Sequence, residues 1–396
     1  MSDESTNLDK INDSRLAGLR FGIGGDTNSG SVMPPIYSSV NYLFDKPEIH
    51  PEYDYSRTNN PTRDVLNKAL AQLEGGTTST QVGSGLGAYT LLILALAKAG
   101  DLIVAPKDCY GGTWRLLDHL ATRGDLRNEF IDTANIDEVR EACQKNPRMV
   151  FVETPSNPLL GITDIEEVTK IAHEAGALVV VDNTFCSPLL QHPIELGADI
   201  VVHSTTKFIN GHSDAVGGAV IAADEEIGAQ LKHWANVAGL TAGPFDSWLT
   251  LRGLRTLSTR LRANQENAKA LVELLVSHPA VEKVYYPGLE SHPGHDIAKK
   301  QMEGPGSLLS FDLAGGLPAA ERLVDGLKVF NLAQSLGGIE SLISISALMT
   351  HNGMTPEARA AAGLKDGLLR ISAGIEPTQD LLADLRAGLD RASKID

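Results

Sequence analysis

The chain of 396 residues carries 34 lysines and arginines against 50 aspartates and glutamates, a formal net charge of −16. That balance argues against a nucleic-acid or anionic-membrane surface, and the length predicts two or three domains rather than one small core. Three cysteines (Cys109, Cys143, Cys186) with no CxxC pair fit a reducing compartment and give no sign of a disulfide framework or a zinc site. The polar start MSDESTNLDKINDSR lacks the apolar core of a signal peptide, and no apolar run is long enough to span a bilayer, so a cytoplasmic location is expected.

Residues 1–60, rich in Gly, Asn, Ser and Pro, predict an extended arm that cannot bury itself and must pack elsewhere, as on a neighbouring subunit. From 61 to 250, apolar runs alternate with amphipathic stretches. DLIVAP, RMVFVET, ALVVVDN, ADIVVHS and AVGGAVIAA predict strands; NIDEVREACQKN and DIEEVTKIAHEAG predict helices. Continuous apolar strands separated by helices imply an α/β domain with a mainly parallel sheet covered on both faces. Ligands of such sheets bind beyond the carboxyl ends of the strands, so polar residues there carry the functional weight. From 251 to 396, a long helix over RLRANQENAKALVELLVSH leads to the strands VEKVYYP, GSLLSFDL and LLRISAGI, a smaller α+β domain.

Taken in chain order, QVGSGLGAYTLLILALAKAG opens an apolar helix with Gly83, Gly85 and Gly87. Such a turn lets backbone N–H groups approach a phosphate, although many ordinary helices also start after Gly and Ser. It is not a dinucleotide fingerprint, because no acidic-ended second strand follows. In DCYGGTW, Tyr110 could stack on a planar ring or be a plain surface aromatic. VFVETPSNPLL ends a strand with Glu153 and sets Asn157 between Pro155 and Pro158, as a donor to a phenolate or as a turn residue. VVVDNTF puts Asp182 after four apolar residues, as a cap or turn residue or as partner to a buried cation such as a protonated pyridine.

In VVHSTTKFINGHSD, Lys207 follows a buried strand. It could be a snorkelling surface lysine. Ser204 and Thr206 beside it offer hydroxyls to a phosphate, and a partly desolvated amine attacks aldehydes. Asp182 and Lys207 lie about one strand–helix–strand unit apart, and pyridoxal phosphate (PLP) needs both an acid at its ring nitrogen and a lysine at its aldehyde. Arg370, in LLRISAGIE, could clamp an amino-acid carboxylate or form a surface ion pair. The histidines, including the pair in SHPGH, have no thiol or carboxylate cluster at metal-ligand spacing, so no metal is expected; no GxSxG elbow or P-loop is present.

As a set, YSRTNNPTRDVLNKALAQLEGG, DCYGGT, ETPSNPLL, VDNTF, HSTTKFINGHSD, SLGGIESL and LLRISAGIE resemble the Cys/Met-metabolism PLP-dependent enzymes, in family order from about residue 20 to 390. DLIVAPKDCYGGTWRL, WANVAGLTAGPFDSWLTLRGLRT and GMTPEARAAAG are most similar to the bacterial members that form cystathionine. The resemblance implies the fold type I, aspartate-aminotransferase-like architecture and a homotetramer of dimers with shared active sites. It implies that Tyr55 and Arg57 reach the neighbour's cofactor phosphate, and that Gly85, Leu86, Ser204 and Thr206 hold the phosphate within the subunit. Tyr110 would stack on the ring, Asp182 would pair with its nitrogen, and Lys207 would hold PLP as a Schiff base. Asn157, Ser335 and Arg370 would hold the substrate carboxylate or a nearby cofactor oxygen; Asp54, Arg115 and Glu340 would select the substrate.

The implied reaction is γ-replacement on O-succinyl-L-homoserine by L-cysteine, giving L-cystathionine and succinate. Elimination by a γ-lyase, sulfhydrylation with sulfide, and a non-catalytic scaffold are the alternatives. Leu86 stands where the family usually has Met, and Ile345–Ser346 where many members have His and Pro or Ala, which bears on fine specificity.

Overall fold

The computed structural model describes residues 18–26, 28–350, 355–361 and 363–393. Residues 1–17 of the expected arm and part of the GMTPEARAAAG motif lie outside the described residues. Two compact units are present: one combines the residues up to Ala97 with Asp199–Ser258, the other Lys98–Ala198 with the residues from Thr259 onward. Packing thus divides the chain discontinuously, whereas the boundaries near 60 and 250 follow composition.

In the first unit, the helix Pro61–Glu74 starts where the Asn60 side chain accepts hydrogen bonds from Thr62 N (3.0 Å) and Arg63 N (3.3 Å). Such a cap contributes about 1 kcal/mol. The helix ends at Gly75, whose φ of 73° suits a residue without a Cβ. Strand β1 (Thr78–Val82) pairs antiparallel with β7 (Gly218–Ala222), which pairs antiparallel with β6 (Ile200–His203). The stretch AVGGAVIAA is therefore a strand, but it runs against its partners.

The second unit contains four parallel strands, β2 (Leu102–Pro106), β3 (Arg127–Ile131), β4 (Met149–Glu153) and β5 (Leu178–Asp182), in the order β5-β4-β2-β3. Val104, Val150, Val152, Val179 and Val181 pack with Val139 and Val168 of the covering helices in one apolar cluster. The same unit carries a separate five-stranded sheet of β8 (Val281–Tyr285), β9 (Leu308–Leu313), β10 (Asn331–Leu332), β11 (Leu342–Ile345) and β12 (Leu369–Ser372), in the order β10-β11-β12-β9-β8. Its core joins Leu309, Phe311, Ile343 and Ile371 to Leu271 and Leu275 of the helix Leu257–Ser277 and to Leu381, Leu385 and Leu389 of the helix Thr378–Ala392.

Sequence periodicity missed β1, β3, β10 and β11. Of these, β1 and β3 lie at the end of their strand order, where one edge and part of a face can stay polar, so TSTQV and RNEFI show no apolar run, while β10 and β11 are only two and four residues long. Among the described residues, no helix is long and apolar enough to cross a membrane. All three cysteines are buried and free.

Candidate active site

The glycine turn opens a helix whose start is packed closely against Ser204. Ser84 caps the helix Gly85–Leu96, its Oγ accepting from Gly87 N at 3.0 Å. The N–H groups of Gly85 and Leu86, in the first helical turn, have no acceptor within the helix. A Cβ on Gly85 would stand 2.9 Å from Ser204 Cβ and 3.3 Å from its Oγ, so only glycine lets the helix start lie directly against Ser204. Gly218 approaches more closely still, since its Cβ would meet the Ser84 carbonyl oxygen at 2.1 Å. Free N–H donors and a serine hydroxyl around a helix N-terminus form the donor set that a phosphate group requires.

Lys207 lies three residues beyond Ser204 in a tight turn: Lys207 N donates to Ser204 O (3.2 Å) and Gly211 N to Lys207 O (2.7 Å). Thr206 is tied to another loop. Its hydroxyl accepts from Gly217 N (3.0 Å) and donates to Gly217 O (3.2 Å), so it fastens the turn as well as offering an oxygen. In the arm, Tyr55 is exposed, the Arg57 guanidinium lies 5.6 Å from its ring centroid, and Arg57 Nη1 donates to Asn236 O at 3.0 Å. Asp54 Oδ1 accepts from Tyr55 N at 2.5 Å.

The second unit gathers Tyr110, Glu153, Asn157, Ser335 and Arg370 by hydrogen bonds. Arg370, on β12 and only 3 % exposed, donates through Nη1 to Asn157 Oδ1 and through Nη2 to the Ser335 carbonyl, each at 2.8 Å. Burial lowers its pKa to about 10, which leaves it cationic at neutral pH. Ser335 has a φ of 86°, an uncommon conformation for a residue with a Cβ, and offers its backbone to Arg370. Glu340 is half-buried, with its carboxylate over Gly338, where a Cβ would meet Oε1 at 2.5 Å. Arg115 is exposed on the helix Gly111–Thr122, which begins directly after Tyr110.

Glu153 ends β4 in register with Asp182 at the end of β5. Asp182 Oδ1 accepts from Thr184 N at 2.9 Å, so it shapes its turn as well as facing its neighbours. Burial raises the Glu153 pKa well above the ordinary range, and the charges of Asp182 and Asp108 add to the rise. Asp108 is raised by its own burial, offset by a hydrogen bond from Ser156. Burial, with the charges of Glu153 and Asp108, pushes the Cys109 thiol up, so it is no thiolate nucleophile. A partly buried carboxylate such as Asp182 at a strand end favours a cationic ligand group, as a protonated pyridine would be. The phosphate cradle and this carboxylate therefore both fit PLP. The sequence shows Glu153 only as a strand end and does not single out Asp108, because their partners Tyr110 and Ser156 lie 43 and 48 residues away.

These features belong to an α/β protein with a glycine-turn helix start in one unit and a buried arginine held by two partners in the other. The family model of the Cys/Met metabolism PLP-dependent enzymes matches residues 18–390, and the chain belongs to that family. It is 51 % identical over 379 residues to cystathionine gamma-synthase of Escherichia coli, covering 95 % of this chain and 97 % of the relative. It is 44 % identical over 372 residues to cystathionine gamma-lyase of Bacillus subtilis, covering 94 % and 98 %. The structure of cystathionine gamma synthase from Xanthomonas oryzae pv. oryzae in complex with cystathionine superposes with a TM-score of 0.95 at 54 % identity, covering 96 % of this chain and 98 % of that one. The expected fold, α/β with a mostly parallel sheet and a smaller α+β part, is that of these enzymes. The chain is thus a PLP-dependent enzyme of cysteine and methionine metabolism, and the scaffold alternative falls away.

Proposed function

We propose that this enzyme catalyses γ-replacement on O-succinyl-L-homoserine by L-cysteine, the cystathionine γ-synthase reaction, and that Lys207 holds the cofactor covalently. The observation that carries this reading is the Arg370–Asn157–Ser335 clamp, which suits an amino-acid α-carboxylate, in a chain more similar to the synthases above than to the γ-lyase. Gly85, Leu86, Ser204 and Thr206 hold the phosphate, with Tyr55 and Arg57 supplied by a neighbouring subunit of a homotetramer; Tyr110 covers the ring and Asp182 keeps its nitrogen protonated.

When bound, PLP supplies an electron-withdrawing ring that makes the Cα proton of a joined amino acid acidic. Lys207 Nζ moves the proton at Cα and then one at Cβ. Arg370 fixes the α-carboxylate, which keeps Cα within reach of that amine. Tyr110 moves a proton near Cγ, where the ester C–O bond breaks and the cysteine C–S bond forms. Arg115 holds the distal succinyl carboxylate, and Asp54 and Glu340 select the incoming amino acid.

Mass spectrometry of products from O-succinylhomoserine, with and without cysteine, tests the reading. Cystathionine formed only with cysteine present supports it. Ammonia and 2-oxobutanoate dominating even with cysteine, together with ready cleavage of cystathionine, would favour the γ-lyase reading that the Bacillus relative suggests. Homocysteine formed preferentially from sulfide would make it a sulfhydrylase.

A further inference from the structure

Glu153 stands outside the groups assigned above to cofactor or substrate, yet its carboxylate is the point at which two of their segments meet. Oε2 accepts from Tyr110 N at 2.8 Å, and Oε1 accepts from Asn157 N at 3.2 Å. The two partners lie 43 and 4 residues away in the chain. One begins the helix Gly111–Thr122; the other lies in the turn after β4 and carries the Arg370 contact. The side chain is only 5 % exposed. An ionised carboxylate has acceptors for both N–H groups and no donor to oppose either; an amide in its place must turn its NH2 group toward one of them.

We propose that Glu153 is a positioning residue: its two oxygens pin the backbone at Tyr110 and at Asn157, and so fix the Tyr110 ring and the Asn157 amide relative to each other. The buried carboxylate would be costly without a compensating role. Burial and the neighbouring Asp182 and Asp108 charges push its proton affinity up, while the two N–H bonds draw it down. Burial is the larger effect, so the proton affinity is raised overall, and in either form each oxygen keeps a lone pair for its N–H partner. The inference rests on the reading that Tyr110 and Asn157 face the cofactor.

The test compares Glu153→Gln, Tyr110→Phe and Asn157→Ala with the wild-type enzyme. Each is purified, stripped of PLP and titrated with PLP, and the pH midpoint of the bound cofactor's visible absorption is recorded. Glu153→Gln is expected to bind PLP about 10-fold more weakly, the equivalent of one lost buried hydrogen bond. It should also shift the absorption midpoint in the same direction as Asn157→Ala, with the melting of the stripped protein little changed. If Asn157→Ala and Tyr110→Phe alter the cofactor signals and Glu153→Gln leaves them at wild-type values, the positioning role is overturned and the site reading stands. If none of the three alters them, the site reading itself fails. Amide hydrogen exchange on the wild-type holoenzyme needs no variant: slow exchange at both Tyr110 and Asn157 is expected, and rapid exchange at both would overturn the proposal even if Glu153→Gln does not fold.

Discussion

Arg370 donates to Asn157 Oδ1 at 2.8 Å across 213 residues of sequence, joining β12 of the small sheet to the turn that follows β4. The bond orients the guanidinium, and the Ser335 carbonyl holds its other nitrogen. A planar fork held at two corners presents its remaining donors in a fixed direction, which a flexible lysine ammonium cannot reproduce. Arg370→Lys should keep the charge and lose the fork. Steady-state kinetics should show kcat/KM for the acylated homoserine down by roughly 100-fold, about 3 kcal/mol of lost binding. A change under threefold would argue that Arg370 serves the fold alone.

The glycine turn offers an internal control. Gly85→Ala would drive a methyl group into Ser204, whereas nothing lies within 4 Å of a Cβ on Gly83. PLP titration should show markedly weaker binding for Gly85→Ala and near-normal binding for Gly83→Ala. Equal affinities would disconnect the cradle from the phosphate.

Reduction of the PLP-loaded enzyme with borohydride, followed by peptide mapping, should leave the pyridoxyl mass on the peptide containing Lys207. Lys207→Ala should lose both that label and turnover. A label on another lysine would move the centre of the site.

Arg115 is solvent-exposed on the helix after Tyr110, and the proposed function gives it the distal succinyl carboxylate. Arg115→Ala should therefore fold normally and lose about 10-fold of its preference for O-succinyl- over O-acetylhomoserine, in line with one exposed charge-assisted contact. Competition between the two esters measures this directly, and an unchanged ratio removes the assignment.

Stability of the cofactor-free protein should depend on pH through Glu153 and Asp108. Both have folded-state pKa values raised above the ordinary carboxylate range, chiefly by burial. Their contribution is fully present below that range, where both states are protonated. It is lost as pH rises toward the raised values, because the unfolded chain releases its protons first. Urea midpoints of the stripped protein should fall over that window, and Glu153→Gln should flatten the decline. An identical slope in the variant would mean that Glu153 does not titrate as its surroundings require.

Much of this was legible in the chain. The runs LIVAP, MVFVE, LVVVD and IVVH are buried strands with Glu153, Asp182 and Lys207 at or just beyond their ends, because apolar content and strand length are properties of neighbouring residues. The polar strands TSTQV and RNEFI were not legible, since their place at the end of a strand order relieves them of the need for an apolar run. The sequence by itself determined the alternation of strand and helix, the glycine turn and the positions of Lys207, Asp182 and Arg370. Only the tertiary structure decided that Glu153 joins Tyr110 to Asn157, that Ser335 meets Arg370 through its backbone, and that Asp199–Ser258 packs with the N-terminal part of the chain. The reason is physical: periodicity and capping act within a few residues, whereas the partner of a buried polar group is set by which distant segments the core brings together.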